Sequence, residues 1–133
     1  MGILLDTNIL VRAEKGSLNI AQKIIGREEE DFFISVITAS ELLHGVFRAN
    51  SEAIQNKRSA FVEKLLTELP ILQIDLTTAR AHAKLWADLQ SKGEMIGAHD
   101  AWIGAACIAY GLTIVTGNAN EFSRIPGLAV ESW

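Results

Sequence analysis

Residues 100–118 read DAWIGAACIAYGLTIVTGN. An acidic residue opens an apolar, alanine-rich run. Gly111 offers the left-handed stop that ends a helix, and LTIVT at 112–116 is β-branched without polar alternation. A strand that is apolar on both sides needs helices over both, so this helix–strand succession describes half of a βαβ unit. Polar residues, Gly117 and Asn118, then take over where the strand ends.

The same grammar recurs outward from that stretch. ILL before Asp6, FFISVI near 32–37 and ILQI at 71–74 are further short apolar strands. Between them, Leu42, Leu43, Val46 and Phe47 repeat at helical spacing. Ile54, Phe61, Val62, Leu65, Leu66 and Leu69 do the same, as do Ala81, Leu85 and Leu89. Ser51 and Thr77 or Thr78 are expected N-caps. Glycine and proline stand singly, with no repeat and no linker, and 133 residues make one domain of ordinary size. The pattern predicts an α/β fold over residues 1–133, a sandwich around a mostly parallel central sheet.

Hydrophobic residues make up 49% of the chain and mean hydropathy is +0.20. No apolar run approaches the roughly 20 residues of a membrane span, so the excess is assigned to the buried sheet and to a self-association surface. No basic segment precedes the first apolar run and Asp6 interrupts it, which predicts a cytoplasmic protein without a signal peptide. Cys107, the single cysteine, sits among apolar neighbours as a packed thiol. A net charge of −4 argues against coating nucleic acid by bulk electrostatics. Arg48, Lys57, Arg58 and Lys64 are interspersed with Glu52, Glu63 and Glu68, which reads as a solvated helix face.

In such a fold the carboxyl ends of strands and the amino ends of crossover helices share one edge, where ligands bind. Asp6 ends the first strand, Glu41 falls in the first turn after the second, Asp100 opens a helix, and Asn118 with Glu121 follows LTIVT. Carboxylates brought together repel, and a cation relieves the repulsion. Hard oxygen donors suit Mg²⁺ or Mn²⁺, whereas His44, His82 and His99 lack the spacing and the cysteine partners of a zinc site. Such an ion activates water against a phosphodiester without a protein nucleophile.

Each acid also has a purely structural alternative. Thr38-x-x-Glu41 matches a capping box, Asp100 can cap a helix, and Asp6 can hold an Asx turn. His99 reads as an orienting or packing residue. Nucleophile elbows, phosphate loops and dinucleotide fingerprints are absent, and ELLH at 41–44 lacks the second copy of a di-iron bundle.

LLDTNIL, ISVITASELLHGV, IGAHDAWIGAACIAYGLTIVTGNANEF and IPGLAVESW, in that order and nearly end to end, resemble the successive blocks of the PIN domain, most closely the VapC-type toxins of toxin–antitoxin pairs. The resemblance implies an α/β/α three-layer fold and a Mg²⁺- or Mn²⁺-dependent endoribonuclease acting on RNA. It also implies a homodimer and a cognate antitoxin whose C-terminal segment occupies the acidic groove. By the same resemblance Asp6, Glu41 and Asp100 match the metal-binding acids. Asn118 takes a catalytic place where many relatives carry aspartate, with one charge fewer for a second metal. Glu121 stands where relatives often have aspartate and contributes through water, and Thr7, Asn8 and Thr116 orient the acids.

Two other readings place acids at strand ends. A receiver-like module would need paired acids after the first strand and a lysine after a late one, where this chain has a lone Asp6 and TIVTGN. A catalytically silent PIN-fold interaction module would have no need to keep all three acids.

Overall fold

The computed structural model describes residues 2–133. Strands β1 (Gly2–Leu5), β2 (Asp31–Ser35), β3 (Ile71–Leu72), β4 (Thr113–Thr116) and β5 (Ala129–Ser132) form one sheet in the order β3-β2-β1-β4-β5. Every pairing is parallel, with Leu4 opposite both Phe33 and Ile114. Helices α1 (Thr7–Glu14), α2 (Ile20–Lys23), α3 (Val36–Phe47), α4 (Glu52–Glu68), α5 (Leu76–Lys92), α6 (Ala98–Tyr110) and α7 (Ala119–Phe122) connect them.

Alternation along the strands divides the core in two. Ile3, Leu5, Ile34 and Val115 pack against Ile9 and Leu10 of α1, Leu42 and Val46 of α3, and Val62 of α4. On the other face, Leu4 and Ile114 meet Leu85 and Leu89 of α5 and Ile103 and Cys107 of α6. The result is the expected three-layer α/β/α sandwich. Leu4, fully buried at its centre, illustrates the packing energy involved, since truncating such a residue to alanine costs about 2–5 kcal/mol. Burial pushes the Cys107 thiol up to about 12, in keeping with a packed, unreactive cysteine.

Local capping chemistry moves several boundaries from where the residue pattern puts them. FFISVI does not remain strand to its end. Ser35 caps α3 by accepting from the Ile37 N–H at 3.0 Å, so Val36 and Ile37 already belong to the helix. Glu41 consequently lies in the second turn rather than the first. Asp75, not Thr77 or Thr78, caps α5, accepting from the Thr78 N–H at 2.9 Å. ILQI contributes only Ile71 and Leu72 to the sheet. Ser51 caps α4 and Gly111, at φ 65°, ends α6, both as expected. Strand β5 is fastened at its outer side by Arg27, which donates to both oxygens of Glu131 at 2.5 and 2.9 Å.

Candidate active site

Asp6 is the first residue past β1. Its N–H donates to Val115 O on the neighbouring strand, Oδ1 accepts from the Thr7 N–H at 2.8 Å, and Oδ2 accepts from Thr116 Oγ1 at 2.8 Å. It caps α1 and it is also an ionisable group, so the two readings of this residue coexist. The side chain is 3% exposed, and burial is the main force pushing its pKa up. The Thr116 and Thr7 hydrogen bonds oppose that shift, while the charges of Glu41 and Glu121 add to it.

Glu41 reaches the same place from α3. Oε1 accepts from Thr7 Oγ1 at 2.7 Å, and Oε2 lies 3.4 Å from His99 Nδ1. Because Ser35 is the cap, the Thr38–Glu41 capping box does not form. Thr38 is instead fully buried, its hydroxyl 3.0 Å from that of Thr7. His99, expected to orient or to pack, stands beside Glu41 with its ring largely exposed.

Asp100 is the third residue of α6, whose cap position is Gly97, so it is not the N-cap. Burial first, then the charges of Asp6, Glu121 and Glu41, and a hydrogen bond with Glu121, raise its pKa to about 7. Glu121 stands beside it, with Oε1 accepting from the Gly97 N–H at 2.7 Å and Oε2 from Asn118 Nδ2 at 2.6 Å. The Gly97 bond is the chief reason that the Glu121 pKa moves down. The two carboxyls are thus pushed in opposite directions, Asp100 up and Glu121 down. Asn118 also donates its N–H to Thr116 Oγ1 at 2.9 Å.

Asp6, Thr7, Asn8, Glu41, Asp100 and Asn118 line one open cleft of about 340 Å³. Thr116 lies buried beneath it, and Asn8 Oδ1 accepts from the Gly117 N–H at 3.0 Å. Arg12 shares the cleft wall, a place that the residue pattern does not reveal. It follows Asn8 by one helical turn, a signal hidden because the α1 pattern is short. Its Nη1 donates to Trp133 O at 2.8 Å, and a Cβ on Gly117 would stand 3.0 Å from that nitrogen, so the glycine makes room for the guanidinium.

No three His, Cys, Asp or Glu side chains among the described residues stand close enough to clasp an ion unaided. Mg²⁺ dehydrates reluctantly and is held by one or two carboxylates, its own waters and substrate phosphate. The donors are all hard oxygen, and the uncompensated repulsion at Asp6 and Asp100 is what a divalent cation would relieve. The residues present fit such an ion.

Comparison with known proteins bears on the family. The PIN domain family model matches residues 3–128. A ribonuclease named VapC1 from Rickettsia felis is 34% identical, with 98% of this chain and 95% of the relative covered. The tRNA(fMet)-specific endonuclease VapC of Salmonella typhimurium is 31% identical, with 98% and 96% covered. Among solved structures, VapBC2 from Rickettsia felis bound to a promoter DNA fragment superposes with a TM-score of 0.90 at 29% identity, covering 100% of this chain and 99% of that one. With its acids on the carboxyl edge of a parallel sheet and its relatives matched end to end, the chain belongs to the PIN domain family, among the VapC ribonucleases.

Proposed function

We propose that this chain is the toxin of a toxin–antitoxin pair and hydrolyses RNA phosphodiester bonds with Mg²⁺, or with Mn²⁺ in its place. The observation that carries this reading is the convergence of Asp6, Glu41 and Asp100, from three separate elements, on one cleft where their charges oppose one another. When bound, the cation supplies an activated water and neutralises charge on the attacked phosphate. Asp6 and Asp100 are the ligands best placed to hold it. Asp6 is locked by Thr7 and Thr116, and Asp100, whose burial and acidic neighbours disfavour its charge, would be favoured in its ionised form by a bound cation. Glu41, steered by Thr7 and His99, completes the acidic wall. Thr7, Asn8 and Thr116 keep these oxygens aimed.

The VapBC family, to which the relative solved with promoter DNA belongs by name, is one of toxin–antitoxin systems, which supports a cognate antitoxin for this chain. A homodimer in the cytoplasm completes the proposal. Its support is an apolar surface on α5, α6 and the turn between them, where His82 stacks on Trp102 at 3.6 Å beside Trp86 (51% exposed) and Met95 (45% exposed). No helix among the described residues is long and apolar enough to cross a membrane.

The test is cleavage of a tRNA(fMet) transcript and of bulk RNA by the purified protein, with Mg²⁺ and with chelator, beside Asp6→Asn. Cleavage is expected only in the wild type with metal. Full Mg²⁺-dependent cleavage by Asp6→Asn would overturn the assignment.

A further inference from the structure

The acidic cleft does not stop at Glu41. Val11 and Glu41 are also part of the wall of a second groove, between α1, α3 and α4, which continues past Gly45 to Arg48 and Arg58. Arg48 and Arg58 in turn border an open hollow at Asn50. Beyond Glu41 this path presents Lys15, Arg48 and Arg58 against a single carboxylate, Glu14. In a chain of net charge −4, a locally cationic path that leads into the acidic cleft is the reverse of the average surface.

The solvated helix face expected for Arg48, Lys57, Arg58 and Lys64 therefore divides. Lys57 and Lys64 are exposed, with Lys64 4.0 Å from Glu68, and neither lines the groove. Arg58 donates to Gly45 O at 3.2 Å, a carbonyl of the last turn of α3 that lacks a helical partner, and lines the groove.

Gly45 is the second, independent observation. It sits inside α3, where glycine is less favourable than alanine, its φ is not left-handed, and a Cβ built on it would meet nothing within 4 Å. Neither packing nor backbone conformation asks for glycine there. What the missing side chain does is leave the groove floor open next to the arginines.

We infer that the groove of Lys15, Gly45, Arg48 and Arg58 is a phosphate lane that holds single-stranded RNA a few nucleotides from the bond being cut. This rests on the reading that the acidic cleft cleaves RNA. The division of labour is electrostatic. Cations in the lane hold backbone phosphates without reading sequence, and the acids, once compensated, act on the one phosphate that enters the cleft. An acidic protein segment would find the same charges; the groove's continuity with the acidic cleft, where the proposed function places the phosphate being cut, favours RNA.

The test uses the full chain with Mg²⁺. A fluorescein-labelled, 2′-O-methylated 12-nucleotide single strand is titrated by anisotropy at several salt concentrations, and cleavage of a tetranucleotide too short to span both sites is followed separately. The combined Lys15→Gln, Arg48→Gln, Arg58→Gln variant is expected to bind the 12-mer at least tenfold more weakly. The slope of log K against log salt should fall by about 2, at roughly 0.7 for each single-strand phosphate that the protein no longer neutralises. Gly45→Leu fills the floor without removing charge and favours the helix, so it should fold normally and still weaken binding severalfold. Both variants should cleave the tetranucleotide at the wild-type rate. Unchanged affinity and slope in the triple variant overturn the lane and leave the groove to an acidic peptide. Loss of tetranucleotide cleavage overturns it too, by placing the cations in the cleft chemistry. If the wild type cleaves no RNA at all, the proposed function fails, and the anisotropy comparison still decides the lane.

Discussion

Thr116 donates its hydroxyl to Asp6 Oδ2 at 2.8 Å, joining residues 110 positions apart across two paired strands. The bond exists because β1 and β4 are in register, Leu5 opposite Val115, so both chains leave the sheet side by side. Since that donor favours the ionised carboxylate, Thr116→Val should raise the Asp6 pKa further while keeping the shape of the core. Removing such an orienting partner typically costs 10–100-fold in metal affinity or activity. Mn²⁺ titration calorimetry beside cleavage rates checks this, and the deficit should shrink as pH rises.

Stability without metal should depend on pH through Asp100. Its folded pKa, about 7, lies above its ordinary 3.8. The folded state therefore holds its proton more tightly, stability is undiminished below about 3.8, and it is lost as pH rises through about 7. Thermal unfolding in chelator should show a lower midpoint at pH 8 than at pH 5.5. Added Mg²⁺ should raise the midpoint more at pH 8, and Asp100→Asn should flatten both trends.

Asn118→Asp introduces the aspartate that the family resemblance would place there, yet here it should harm. Its amide donates to Glu121 Oε2 at 2.6 Å, and a carboxylate in that position would confront another carboxylate. We expect roughly tenfold slower cleavage, in line with the usual effect of losing an orienting partner, with no gain in Mn²⁺ affinity. Kinetics and calorimetry on the same preparation would show it.

Trp86→Glu should convert the proposed homodimer to a monomer by placing charge in the apolar surface of α5 and α6. Light scattering reads the mass directly. Because Trp86 is half exposed in the single chain, the midpoint of unfolding should change little at low protein concentration.

Legibility followed burial. Strands β1, β2 and β4 show in the residue pattern because both their faces are covered, and Asp6, Glu41 and Asp100 stand out because parallel topology sends them to one edge. Edge strand β5 is legible only as part of a family block, since Ala129 and Ser132 are exposed and the apolar pattern is thin. Helix starts are misplaced where short polar side chains compete as caps, as Ser35 does with Thr38 and Asp75 with Thr77 or Thr78. Chain order could not show that the Asn118 amide points at Glu121, nor that Arg12 joins the cleft, because both depend on side-chain direction rather than spacing.

The strand order carries a last consequence. β4 lies beside β1 at the centre of the sheet although some hundred residues separate them in the chain, so Asp6 gains Thr116 and Asp100 as neighbours only through that long-range pairing. Any fragment that ends before β4 therefore lacks the assembled site. The connectivity makes the site a property of the whole sheet and not of any single strand–helix unit.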